Sequence, residues 1–102
     1  MKVSLLPIPL NTDKVADFCQ RYHIQKLALF GSVVREDFTS QSDVDVLVEF
    51  ESGKTPGLAI ITMQDELSKI INWSVDLRTL NDLSHYFRDE VIQEAFVIYE
   101  QN

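Results

Sequence analysis

The chain has 102 residues, of which 45% are hydrophobic, so the sequence predicts one small domain spanning residues 1–102. Its 16 acidic and nine basic residues give a formal charge of −7, which argues against direct binding of DNA or RNA. A single cysteine excludes an internal disulfide, and no signal-peptide pattern or apolar run of the roughly 20 residues that span a bilayer is visible, which predicts a cytoplasmic protein without membrane contact.

The first predicted elements are an arm and a helix. Residues 1–10 contain Pro7 and Pro9, which lack backbone donors and favour extended backbone, so a loose arm or an edge segment is predicted there. From Asn11 or Thr12, either of which suits an N-cap, apolar residues recur at helical spacing. The sequence therefore predicts that a first helix begins at this point.

Two strands are predicted next. Residues 26–30 are short and mainly apolar and are followed at once by Gly31, as expected of a strand buried within a sheet. Residues 43–50 alternate between acidic and apolar side chains at their start and are rich in valine, which favours a half-buried strand. The glycine is expected to end the first of these strands.

The second half of the chain predicts two helices around a third strand. Residues 51–57 collect turn residues, residues 58–71 carry a helical apolar pattern, and residues 75–78 have a strand pattern. Residues 87–99 place apolar side chains on one helical stripe and predict a C-terminal helix. The predicted fold is α/β in the broad sense (α+β), a small mixed sheet with helices packed on one face and acidic residues along the other.

Two carboxylates start the second predicted strand. Side chains alternate along a strand, so Asp43 and Asp45 project from one side, and no lysine or arginine lies between them. A cation relieves such repulsion, and carboxylate oxygens suit Mg²⁺, with Mn²⁺ as a similar ion. Asp76 lies between apolar residues in the third strand. If that strand pairs with the second, all three carboxylates are expected to share one metal site.

A phosphate-binding turn is predicted after the first strand. Gly31 lets the backbone turn tightly and brings N–H groups close to an anion, and the Ser32 hydroxyl adds a donor. A short helix after the turn would favour anions at its start, with Arg35 placed to contact a phosphate in bidentate fashion. Ser42 joins this nucleotide-binding set as a residue that caps or orients the second strand.

A phosphate-binding turn beside a metal site indicates phosphoryl chemistry. Metal bridging the oxygens of a triphosphate neutralises charge that develops when a hydroxyl attacks phosphorus in line with the leaving group. Asp76 is the acid expected to accept the hydroxyl proton.

The ordered pattern resembles the DNA polymerase beta-like nucleotidyltransferase superfamily, and is most similar to its minimal (MNT) branch. Gly31 and Ser32 are followed after ten residues by Asp43 and Asp45, and a third acid stands in a later strand. The similarity runs from KLALFGS through SDVDVLVEF and VDL to VIQEAFVIYE, which the periodicity assigns to the last helix. The resemblance implies the polymerase beta-like palm fold.

The resemblance also implies roles and a partner. Gly31 and Ser32 would bind the phosphates of ATP, and the three aspartates would match the metal-binding acids of the family. Members of the minimal branch are commonly antitoxins paired with a HEPN-domain ribonuclease toxin, and some transfer AMP from ATP to a toxin tyrosine. The expectation is therefore an Mg²⁺-dependent protein adenylyltransferase that forms a hetero-oligomer with such a toxin. Many members have Ala-Arg-Gly where this chain has Val34-Arg35-Glu36, so Glu36 adds an anion near the phosphate site.

Other interpretations stay open. Asp43 and Asp45 at a solvated strand edge would serve only to discourage aggregation. His23 and His85 lie apart from the motifs, which favours surface or capping roles over catalysis. Two competing functions are a non-catalytic module that neutralises its partner by complex formation, and a transferase that acts on a small molecule such as an antibiotic. The small size leaves no separate acceptor-binding domain, which argues against the second.

Overall fold

The computed structural model describes residues 6–101 and shows a four-stranded mixed sheet with three α-helices. Short 3₁₀ turns at Gly31–Val34, Gly57–Ala59 and Leu80–Asp82 join the regular elements. None of the helices in this part of the chain is both long and apolar enough to cross a membrane. In chain order the regular elements are α1 (Thr12–Arg21), β1 (Ile24–Phe30), β2 (Val44–Phe50), α2 (Ile60–Ile71), β3 (Val75–Arg78), α3 (His85–Glu94) and β4 (Phe96–Glu100).

The helix and strand predictions for residues 11–78 are confirmed to within about two residues at each end. Asn11 is the N-cap of α1, and its side-chain oxygen accepts a hydrogen bond of 3.1 Å from the backbone N–H of Lys14. The helix α2 ends at Asn72, whose φ of 61° is left-handed and turns the chain towards β3. Local sequence signals therefore determine the boundaries of these elements.

The sheet has the strand order β3-β2-β1-β4. The strands β2 and β3 are parallel, whereas β1 is antiparallel to both of its neighbours, β2 and β4. In this register Asp45 lies opposite Phe30 on one side and Asp76 on the other. The end of β1, the start of β2 and the start of β3 therefore meet at one edge of the sheet, as the sequence predicted for the acidic residues.

The two faces of the sheet are covered differently. The helices α1 and α2 pack on one face and enclose the main core with side chains such as Phe18, Leu29 and Met63. This burial of apolar area provides most of the driving force for folding. The other face carries a smaller cluster, in which Val91 of α3 contacts Phe30 and Leu47. The mixed sheet with packed helices is confirmed, and α3 adds a helix on the face that carries Asp45.

The predicted C-terminal helix over residues 87–99 is wrong in its second half. The helix α3 ends at Glu94, and Phe96–Glu100 form β4, which pairs with the free edge of β1. Residues 96–99 are aromatic or β-branched, which suits a strand, and pairing satisfies backbone groups that β1 would otherwise leave open. The helical spacing of the apolar residues was coincidental beyond Glu94.

The N-terminal segment differs from the predicted loose arm where it can be seen. Leu6 and Ile8 are buried against the main core, with 8% and 4% of their surface exposed. Residues 1–5, which the same prediction covered, lie outside the described part of the chain. The apolar residues beside the prolines explain the packing, because they can be buried without a regular element.

Candidate active site

The turn after β1 places Gly31 directly against the carboxylate of Asp45. Gly31 has a φ of +74°, a left-handed conformation that favours glycine, and it follows the residue that pairs with Asp45 across the sheet. A methyl group at this position would overlap the Asp45 carboxylate. The close approach of backbone to carboxylate is therefore possible only because residue 31 has no side chain.

The segment Gly31–Val34 forms one 3₁₀ turn, at the place where the sequence predicted a short helix. Val33 is buried and anchors the turn, while Ser32 remains partly exposed. The backbone N–H of Arg35 donates to the carbonyl oxygen of Ser32 at 3.0 Å and closes the turn. The Ser32 hydroxyl and the Arg35 side chain are thus carried on a fixed backbone.

The three predicted aspartates lie at or next to the starts of β2 and β3. Asp43 is exposed just before β2, and Asp45 and Asp76 are direct neighbours in the parallel register. Burial raises the pKa of the Asp45 carboxyl above its ordinary value, and the charges of Asp76 and then Asp43 raise that pKa further. The guanidinium groups of Arg78 and Arg35 partly offset this effect. The ionised form of Asp45 is therefore disfavoured by its burial and by the two neighbouring acids.

The third carboxylate already has a cationic partner. Nε of Arg78 donates to Oδ1 of Asp76 at 3.0 Å, so Arg78 pairs with an acid in this conformation. Within residues 6–101 no three acidic, histidine or cysteine side chains lie close enough together to bind a metal ion. The shared metal site of Asp43, Asp45 and Asp76 therefore stays a prediction.

Glu94 occupies the place that the sequence assigns to a phosphate. The backbone N–H of Gly31 donates to Oε1 of Glu94 at 3.1 Å, and Nη1 of Arg35 lies 3.8 Å from Oε2 of Glu94. Glu94 is the last residue of α3 and has a side chain only 25% exposed. Glu94 was not predicted from the sequence, because its contact with Gly31 spans 63 residues and no local motif marks it. The turn thus binds a carboxylate, which shows that it accepts anions.

A cavity of about 350 Å³ joins these groups. Its wall includes Gly31, Arg35 and Asp45 on the sheet side, and Phe87 and Glu94 on α3. The predicted phosphate-binding turn and the predicted acid therefore line one open space, with α3 as its outer wall. That arrangement suits a ligand with both phosphate groups and a bound cation.

Ser42 has a supporting position in the loop before β2. Its hydroxyl oxygen accepts a hydrogen bond from the backbone N–H of Thr39 at 3.0 Å. The side chain therefore closes the loop that leads into β2, and a direct role of Ser42 in nucleotide binding stays a prediction. His85 begins α3 and contacts Arg88, and neither His85 nor His23 lines the cavity.

Comparison with known proteins decides the family. The sequence profile described as Polymerase beta, Nucleotidyltransferase matches residues 13–102. The chain belongs to this nucleotidyltransferase family. The Gly31–Ser32 turn, Asp43 and Asp45 are thus parts of a nucleotidyltransferase domain, and the resemblance read from the sequence is confirmed.

Among the proteins similar to this nucleotidyltransferase are one sequence relative and two solved structures. It is 32% identical over 80 residues to the protein adenylyltransferase MntA of Thermococcus cleftensis, covering 78% of this chain and 79% of the relative. A toxin–antitoxin crystal structure with AMP-PNP superposes with a TM-score of 0.72 at 21% identity, covering 91% of this chain and 76% of the other. A structure of a tri-AMPylated HEPN toxin of Shewanella oneidensis in complex with an MNT antitoxin superposes with a TM-score of 0.63 at 18% identity. The match covers 88% of this chain and 70% of the other. The last two establish the shared fold.

Proposed function

We propose that this nucleotidyltransferase transfers AMP from ATP to a hydroxyl group, most simply a tyrosine, of a HEPN-type toxin and thereby acts as its antitoxin. The observation that carries the proposal is that an anion-binding glycine turn and Asp45 line the same cavity. The adenylyltransferase relative and the toxin–antitoxin folds described above support the choice of AMP and of a protein acceptor.

The donor set of the site fits a hard divalent cation. Asp43 and Asp45 are carboxylates without a salt-bridge partner within residues 6–101, and the pKa of Asp45 is raised by burial and then by the charges of Asp76 and Asp43. Asp43 and Asp45 would hold Mg²⁺, and Asp76 would join them if Arg78 released it. When bound, Mg²⁺ would supply positive charge to the oxygens of the triphosphate.

The chain's own groups account for the remaining steps. The N–H of Gly31, the hydroxyl of Ser32 and the guanidinium of Arg35 bind phosphate oxygens after Glu94 has moved aside. The acceptor oxygen forms a bond to the α-phosphorus, and the bond from that phosphorus to the bridging oxygen breaks, so that pyrophosphate leaves with the electron pair. Asp76 accepts the proton of the acceptor hydroxyl.

Glu94→Gln is expected to strengthen ATP binding. The substitution removes a negative charge that competes with phosphate for Gly31 and Arg35, so KM for ATP should fall about three- to tenfold, with kcat changed less. Steady-state kinetics at saturating acceptor measures both constants. Glu90→Gln is the matched control, because Glu90 lies on the same helix and the same cavity wall without the bond to Gly31. A rise in KM for Glu94→Gln would mean that Glu94 supports the turn instead.

The acceptor protein is expected to contact α3. An acceptor hydroxyl must enter the cavity whose outer wall is α3, and that helix exposes Tyr86 and Phe87, at 93% and 57%. Asp89 and Glu90 are exposed beside these aromatic residues. Exposed aromatic side chains with acidic neighbours suit a partner surface that is apolar with a basic rim.

Tyr86→Ala is expected to weaken binding of the acceptor protein without weakening binding of ATP. Loss of one aromatic contact at a protein interface should raise KM for the acceptor about tenfold, while KM for ATP stays unchanged. Leu58→Ala is the control, because Leu58 is similarly exposed, at 86%, but precedes α2 on the opposite face of the sheet. Equal effects of the two variants on the acceptor KM would contradict docking on α3.

The proposal is tested by following label from the α-phosphate of ATP onto the protein encoded by the adjacent gene. Transfer by the unaltered chain, with loss in a variant lacking both Asp43 and Asp45 carboxylates, is the expected result. If that variant still neutralises its partner in cells, the chain acts as a binding module and the transfer reaction is not its means of neutralisation.

A further inference from the structure

The backbone on both sides of Asp43 is bonded to one short segment before β3. Nε1 of Trp73 donates to the carbonyl oxygen of Ser42 at 2.8 Å. The backbone N–H of Val44 donates to the carbonyl oxygen of Ser74, also at 2.8 Å. Asp43 therefore lies between two hydrogen bonds to consecutive residues, an arrangement called here the Trp73 clamp.

Trp73 is itself held from two directions. Its ring lies 5.3 Å from the ring of Phe38, centroid to centroid, in a tilted arrangement. Its backbone N–H donates to the carbonyl oxygen of Ser68 at the end of α2, at 3.1 Å. The left-handed residue Asn72 turns the chain so that the indole faces the loop before β2. The donor of the clamp is thus part of the rigid α2–β3 connection.

Asp43 needs such external support. It ends the irregular segment between the 3₁₀ turn and β2, and it is exposed, so packing of its own side chain does not fix it. An ordering hydrogen bond from a rigid neighbour reduces the conformational freedom that a metal ligand must lose on binding.

We propose that Trp73 is a positioning residue that fixes the backbone at Asp43 and so aims its carboxylate at the cation shared with Asp45. The inference rests on the proposed function, in which Asp43 binds a divalent metal. Trp73 lies outside the cavity and far from Asp43 in sequence. The donor stands in the segment before β3, and the metal ligand stands in the segment before β2.

Trp73→Phe keeps an aromatic ring against Phe38 and removes the indole donor, so it tests the hydrogen bond with much of the packing retained. Amide exchange at Val44 is expected to accelerate about tenfold, while the amides within β2 exchange as before. Mn²⁺ affinity, measured by titration without nucleotide or acceptor, is expected to fall about five- to tenfold.

A matched variant and a second background make the result specific. Tyr22→Phe also removes one aromatic donor, the hydroxyl that donates to Glu66 at 2.7 Å between α1 and α2, and should leave Mn²⁺ affinity unchanged. In an Asp43→Asn background, Trp73→Phe should cause no further loss of Mn²⁺ affinity, because the ligand it positions is already absent.

The outcomes separate the inference from the function beneath it. An unchanged amide exchange rate at Val44 in Trp73→Phe would show that the indole bond does not fix this backbone, irrespective of the Mn²⁺ affinity. An equal loss of Mn²⁺ affinity with and without the Asp43 carboxylate overturns the positioning role and leaves a general structural one. Failure of the unaltered chain to bind Mn²⁺ overturns the proposed metal site and, with it, the role of Trp73 towards a cation.

Discussion

Gly31→Ala is expected to lower kcat/KM for nucleotidyl transfer by at least about a hundredfold, corresponding to some 3 kcal/mol of lost transition-state stabilisation. The added methyl group would overlap the Asp45 carboxylate and disfavour the φ of +74°. Relief requires that the turn or the acid move, and each movement separates the backbone N–H of Gly31, which would bind phosphate, from the Asp45 side chain, which would hold the cation. Steady-state kinetics and ATP binding measure the loss.

Gly53→Ala supplies the control for backbone strain. Gly53 has nearly the same φ, +76°, but nothing lies within 4 Å of a methyl group built on it. Its substitution should cost about 1 kcal/mol of stability through strain alone and leave the transfer rate intact. If Gly31→Ala reduced activity no more than Gly53→Ala does, close approach of Gly31 to Asp45 would not matter for the reaction.

Asp43→Asn combined with Asp45→Asn is expected to reduce transfer at least about a thousandfold, because the variant loses the carboxylates that would hold the cation on the triphosphate. The fold should survive. The raised pKa of Asp45 means that ionisation of this carboxyl favours the unfolded chain, so its neutral replacement removes the cost of burying the charge and then the repulsion from Asp76. The expected pair of results is lost activity with an unchanged or raised Tm.

The control for this double variant is Asp13→Asn combined with Asp65→Asn. These residues are exposed acids on α1 and α2, so the control changes the net charge equally without touching the cavity. It should retain full activity, since surface charges far from the site contribute little. A comparable loss of activity in the control would assign the effect to net charge.

Most of the fold was predictable because its signals are local. The N-cap at Asn11, the apolar periodicity of α1 and α2 and the alternation in β2 each lie within a few residues of the element they specify. The strand β4 was not predictable in this way, because its apolar spacing fits a helix and only pairing with β1 makes it a strand. Strand pairing is a property of the whole sheet rather than of the segment.

In the site, too, features with local sequence signals were predictable and contacts between distant residues were not. Strand parity placed Asp43 and Asp45 on one side, the expected pairing of the second and third strands placed Asp76 beside Asp45, and the glycine after β1 marked the turn. The bonds of Glu94 to Gly31 and of Trp73 to Ser42 join residues 63 and 31 positions apart. No periodicity reports contacts over such distances. Of the predicted site residues, Gly31, Arg35 and Asp45 line the cavity, whereas Glu94 and the indole bond of Trp73 were not predicted.

The most direct test of the account places label at two positions of ATP in parallel reactions with the partner protein and Mg²⁺. We expect label at the α-phosphate on the partner, release of label at the γ-phosphate as pyrophosphate, and loss of both events when the metal is chelated. Transfer of the γ-label to the partner, or transfer of the α-label that persists after chelation, would contradict it.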